Sequence, residues 1–287
     1  MTVPLTAPIL ILYFSLYAIA GWVCESIWVS VGTRKVVNRG FLAGPYCPIY
    51  GFGALLILLT CVPLKAYPPL VFVVAMLAAT VLEYFTGWLL ETLFHTRWWD
   101  YSKRKFNLKG RICLRNALLF GLMGVAVTYL LDPLAEQLIG ALSPGLQSAL
   151  AWTMVAILAA DLAHTLYTLL GLQRRLKTLR GYVQELARYN EEYSWLDLRD
   201  LHGSVERLRG VCEADAHNEA AQAILAKLDD LTARRKQSMR LLKAFPTLAH
   251  KDLGAELVML REKWTREIAE RKAARKAQKE KPEEAGE

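Results

Sequence analysis

From Pro8 to Leu172 the sequence is a succession of apolar runs separated by short loops, and from Gln173 onward almost every turn carries charge. This segregation constrains the fold more than any other feature. About 20 apolar residues in a helix match roughly 30 Å of hydrocarbon. Backbone polar groups inside lipid must be satisfied within the segment, so such runs cross as helices. The chain is expected to be all-α: a polytopic membrane helix bundle over residues 1–172 with about five transmembrane helices, then a helical, partly coiled-coil cytoplasmic tail over residues 173–287. The segregation also explains how a chain that is 54% hydrophobic can be 22% charged.

The runs are Pro8–Val31, Pro48–Val62, Pro69–Phe94, Ile112–Leu131 and Pro144–Leu172, the second being short and rich in glycine at its start. Ala18-Ile19-Ala20 has the small-residue pattern of a signal-peptide cleavage site. No basic residue precedes it, however, and the apolar run continues to Val31, so the segment reads as a retained span. The loops then set direction. Arg34, Lys35 and Arg39 follow the first run, only Lys65 the second, six Lys or Arg between Arg97 and Arg111 the third, none the fourth, and Arg174, Arg175, Lys177 and Arg180 the fifth. Basic loops stay in the cytoplasm. The alternation predicts an external N-terminus and an internal tail in a bacterial cytoplasmic membrane. It also accounts for the net charge of +8 without nucleic acid: the basic residues face anionic lipid. Pro133–Leu142 reads as a short interfacial helix, and Trp98 and Trp99 as an inner aromatic belt.

In the tail, Leu172, Leu176, Leu179, Val183 and Leu186 continue the last run as an amphipathic helix. A second helix is expected over Asn218–Ala244, with Ile224, Leu228 and Leu231 on one stripe, and a third over Asp252–Ala277, with Leu253, Leu257, Leu260, Trp264 and Ile268. Such stripes pack on one another or on a partner, which includes self-association through the tail. The last dozen residues are read as disordered.

A charged side chain at the centre of a span costs roughly 2.5–3.5 kcal/mol, which marks it as a functional candidate. Glu25, Glu83, Glu91, Arg115, Asn116, Asp161 and His164 all fall in the half of the spans nearest the basic loops. They are the candidates for contact with a substrate or a proton. Glu83, Gly87 and Glu91 share one helical face, as do Asp161, His164 and Thr168. The alternative is that the carboxylates pair with Arg97 or Arg115 simply to fix packing.

The stretch Gly44-Pro45-Tyr46-Cys47-Pro48, continuing to Tyr50 and Gly51, places two prolines among glycines where a loop enters a span. Backbone freed there lines a cavity; the plainer reading is a helix started by Pro48. Five cysteines without a CxxC pair give neither a disulfide framework nor a metal site. No nucleotide-binding loop, zinc-protease motif, nucleophile elbow or dinucleotide fingerprint is present, so no catalytic residue and no cofactor is assigned.

Four phrases carry a resemblance: FLAGPYCPIYGFG at Phe41–Gly53, E-x-x-T-G-x-x-L-E at Glu83–Glu91, RWWDYS at Arg97–Ser102 and FNLKGRICL at Phe106–Leu114. Over about residues 8–172 the chain resembles the bacterial family "putative ABC-transporter permease, type IV", the CmpB-like group. The resemblance implies a transport permease that works with a separate ATPase subunit. The sequence lacks the E-A-A…G docking loop of many importer permeases. The basic loop carrying Arg97, Trp98, Trp99, Asp100, Tyr101 and Arg111 is the cytoplasmic segment large enough to dock one instead. Two other readings remain: a membrane scaffold or regulator that recruits partners through its tail, and an intramembrane enzyme using Glu83, Glu91 and His164.

Overall fold

The computed structural model describes residues 6–34, 37–189, 201–215, 218–232, 236–245, 248–254, 257–258, 260–266, 268–269 and 273. The chain divides into two compact units. One is Met1–Thr168 together with Arg240–Leu248; the other is Leu169–Met239 with Ala249–Glu287.

Prolines set most of the helix starts in the first unit. Helix α1 is Ala7–Thr33, α2 Pro48–Cys61 with a 3₁₀ turn to Leu64, α3 Pro68–Phe94, and α6 begins at Pro144. Each carries proline in its first turn, where the missing N–H would have no helical partner anyway. Helix α1 ends at Arg34 and α3 at His95, both in the left-handed region at φ 51° and 50°. Four helices are long and apolar enough to cross a membrane: Ala7–Gly32, Pro68–Phe94, Leu114–Gly140 and Pro144–Tyr182; Pro48–Leu64 is shorter. Trp28, Val31, Val81, Leu122 and Tyr167 are largely exposed along these helices, a surface suited to lipid.

The fourth crossing differs from the sequence expectation. Helix α4 (Leu114–Ala126), a π-helical turn (Val127–Leu131) and α5 (Asp132–Gly140) form one continuous helix, so the segment read as interfacial continues the span. Pro133 can offer no N–H to Tyr129 and its ring crowds that carbonyl; the widened π turn just before it absorbs the mismatch.

The core of this unit joins Ile9, Tyr13 and Tyr17 of α1, Ala54, Ile57, Leu58 and Cys61 of α2, Val71 and Ala75 of α3, Val127, and Ala135 and Ile139 of α5. Helices α1 and α2 are keyed reciprocally. A side chain on Gly51 would strike Phe14 at 2.6 Å, and one on Gly21 would strike the ring of Tyr50. Gly121 receives Phe72 in the same way, and Gly124 lies against Ala75. Small residues at helix contacts let backbones close up where no hydrophobic drive exists between helices in lipid.

The second unit takes the part of α6 from Leu169 to Tyr189, α7 (Leu201–Ala214), α8 (Glu219–Thr232) and the first residues of α9 (Lys236–Ala244). It buries the expected stripes: Leu172, Leu176, Leu179, Ile224, Leu228, Leu253, Leu257, Leu260 and Trp264. Lys263 pairs with Asp229 at 2.8 Å, and the Lys227 ammonium sits 4.3 Å from the centre of the Tyr182 ring. The side chains of Val183 and Leu186 and most of the C-terminal stretch lie outside the described residues.

Candidate functional site

The loop between α1 and α2 does not stay at the surface. The Cys47 amide donates to the Ala18 carbonyl, which lies near the middle of α1. From Thr33 back to Ala18 is 15 residues, roughly 22 Å along a helix axis, so residues 37–47 descend into the bundle as non-helical backbone. That descent explains why α2 is short: it begins at mid-depth. Polar side chains hold the descending strand. Ser30 and Ser26 accept from the amides of Val37 and Arg39, Trp22 donates to Asn38, and Asn38 donates to the Ala43 carbonyl.

Asp161 of α6 caps the bottom of this loop. Its two carboxylate oxygens accept from the amides of Ala43 at 2.9 Å and Gly44 at 2.7 Å, and Thr165 Oγ1 adds a third donor at 3.2 Å. A second centre lies alongside: Glu25 receives Arg39 at 3.0 Å, with Cys47 Sγ 3.9 Å away. Pro48 starts the helix as well, so both sequence readings of the 44–51 stretch describe what is seen.

The carboxylates of α3 meet the basic loop that follows it. Glu83 is buried and accepts from Tyr101 at 3.3 Å, with Asn116 beside it. Burial, then Glu83, push the Tyr101 hydroxyl pKa upward. Glu91 takes two arginines, Arg111 at 2.8 Å and Arg97 at 3.3 Å, and Arg111 continues to Tyr84. For Arg111, burial is outweighed by Glu91 and Tyr84, and its pKa rises. Gly87, between the two glutamates, faces Trp99 and Arg111.

Several sequence candidates stand elsewhere. Arg115 is exposed and forms no ion pair among the described residues; Arg111, inside a short hairpin formed by Asn107–Leu108 and Ile112–Cys113, takes the role. His164 is exposed, because the residue that reaches Asp161 is one full turn on, at Thr165, rather than His164 or Thr168. Trp98 is no belt residue: it is buried, edge-on to Phe41 at 5.1 Å and to Phe245 at 4.8 Å. Arg97, Trp99, Tyr101 and Arg111 are similarly spent on holding the loop, while Asp100 accepts from Ser102, which lowers its pKa. The loop is exposed over residues 102–106 and again at Asp100, Leu108 and Lys109, with Phe106 80% exposed at φ 51°.

The sequence reading missed a polar centre at the opposite end of the bundle. Asp132, one residue past the end of the fourth apolar run, is fully buried and pairs with Lys65 at 2.9 Å. Tyr129 donates to the Lys65 carbonyl at 2.8 Å. Asp132 Oδ1, Thr128 Oγ1 and the hydroxyls of Tyr13 and Tyr17 are buried without a hydrogen-bond partner among the described residues. Each such atom costs about 1–3 kcal/mol if left without a partner. The four-residue spacings Tyr13–Tyr17 and Thr128–Asp132 are a legible signal, obscured because Asp132 lies just past the apolar run that ends at Leu131.

No curated protein and no solved structure matches the chain. A family model described as "Putative ABC-transporter type IV" matches residues 12–166, which takes in the descending loop, both α3 carboxylates, the basic hairpin and Asp161. The chain belongs to that family, and it is a membrane protein of a transport-associated kind.

Proposed function

We propose that the chain is a permease-like subunit of a transport system, lying in a bacterial cytoplasmic membrane with its N-terminus outside and its tail inside. The observation that carries this reading is the loop of residues 37–47. Non-helical backbone at membrane depth is tolerated where it lines a cavity, and transporters place substrate sites at such breaks. Here the break is clamped by Asp161 and adjoins the Glu25–Arg39 pair, so a solute meets backbone dipoles and fixed charge together. Energy comes from a separate ATPase, docked on the exposed basic tip Lys103–Phe106. Reporter fusions at Pro68, Gly140 and Ala187 test the orientation, and an internal signal at Gly140 overturns it. Purification in mild detergent with mass spectrometry tests the partner. An ATPase recovered with the wild type and lost from a Lys103, Arg104, Lys105 triple-alanine variant supports the reading; an unchanged partner set without an ATPase counts against it.

A second reading has its own observation. The second unit buries its own amphipathic stripes and so can fold as a recruitment module for a scaffold or regulator. Partners that depend on residues 249–287 while solute movement does not would favour it.

A further inference from the structure

The carbonyls of Gly40, Phe41 and Leu42 all point at one cation. Arg240 Nη1 donates to Gly40 at 3.2 Å and to Leu42 at 2.7 Å, and Nη2 donates to Phe41 at 3.0 Å. Three successive carbonyls converge because Gly40 sits at φ 142°, which turns the backbone over. The next two residues present amides instead, and those go to Asp161, whose charge also acts on Arg240. The result is a cradle of three carbonyl dipoles with a carboxylate behind it. Its neighbour Arg39 is already neutralised by Glu25.

The side chain filling the cradle comes from about 200 residues away in sequence, in a segment that belongs to the same compact unit. Leu241, Leu242, Ala244 and Phe245 of that segment are buried while Lys243 is exposed. Phe245 packs edge-on against Trp98, Arg39 lies over the Phe245 ring at 4.8 Å, and Arg39 donates to the Ala244 carbonyl. The cradle thus accepts a planar cation bearing several N–H donors, a chemistry that a guanidinium offers and a quaternary ammonium does not.

We propose that the Gly40–Phe41–Leu42 cradle is a binding site for a guanidinium-bearing solute, and that Arg240 is a tethered competitor which occupies it until the segment 240–245 lifts. The solute class deepens the permease reading and rests on it for movement across the membrane; binding rests on the cradle alone. A tethered group at high effective concentration excludes a free ligand of similar intrinsic affinity, so the intact chain should bind weakly and a chain without the Arg240 side chain should bind well.

The test uses the full chain in lipid nanodiscs, with methylguanidinium as the probe and tetramethylammonium and sodium as controls. The Arg240→Ala variant is expected to melt below the wild type. Methylguanidinium at millimolar concentration should restore most of that loss saturably, while shifting the wild type little. Absence of rescue in a folded Arg240→Ala protein overturns the proposal, as does equal rescue by tetramethylammonium. Should Arg240→Ala fail to fold, Phe245→Ala decides: it keeps the guanidinium but loosens its tether. Direct titration should then show methylguanidinium bound more tightly than by the wild type, and unchanged affinity overturns the site. None of these measurements involves transport, so failure here leaves the ATPase and uptake experiments to judge the permease reading separately.

Discussion

The two ends of the bundle treat buried charge in opposite ways. At the basic end most buried charges have more than one partner; Glu83 is the exception, its Oε1 accepting from Tyr101 while its Oε2 is buried without a hydrogen-bond partner among the described residues. Glu91 holds two arginines, Asp161 holds two amides and a hydroxyl, and Arg39 holds Glu25 and a carbonyl. At the other end one ion pair, Lys65–Asp132, stands beside three hydroxyls without a protein partner among the described residues. Redundancy makes the first end tolerant of single losses. The second end hangs on one contact.

Lys65 is where the contrast between the ends is most exposed to failure. Lys65→Ala leaves Asp132 charged and fully buried, a situation that costs about 3–5 kcal/mol; thermal unfolding in detergent should drop further than for a single substitution at the basic end. The reverse change, Asp132→Asn, should cost clearly less, because Lys65 is 34% exposed and can turn to water. If both cost the same, the asymmetry of burial is not what governs this end. Next in size, Asp161→Asn removes a charged acceptor from two loop amides and should cost about 2–4 kcal/mol, read by the same melt and by faster amide exchange at Ala43 and Gly44. Arg111→Ala should cost only about 1–2 kcal/mol, because Arg97 remains on Glu91. The double change with Arg97→Ala should then exceed the sum of the single ones. The smallest effect is expected at Tyr101→Phe, about 1 kcal/mol for one hydrogen bond to Glu83. A loss at Arg111 as large as at Lys65 would mean that the second arginine gives Glu91 no protection.

Apolar length and proline placement make the helices legible in the sequence alone. Pro8, Pro48, Pro69 and Pro144 each lie in the first turn of a helix. The carboxylates are legible because few mechanisms tolerate charge inside an apolar run. Their partners are not. Arg111 rather than Arg115 reaches Glu91 because a hairpin, invisible to helical periodicity, carries Arg111 back across α3. Thr165 rather than His164 meets Asp161 because the direction of a side chain depends on how α6 is rotated, which spacing alone leaves open. The depth of residues 37–47 is hidden for a related reason: a loop satisfied by Ser26, Ser30, Asn38 and Asp161 draws on side chains scattered over 135 positions.

The reciprocal keying of α1 and α2 has a mechanical consequence. Tyr50 and Gly51 are adjacent, one supplying a ring to the other helix and the next receiving one. Sliding α2 past α1 by a turn, about 5.4 Å, would require both rings to leave their seats together, with no intermediate stop at which only one has moved. The pair therefore behaves as a single rigid strut. A shift of one helix along the other is therefore blocked unless both seats are vacated at once.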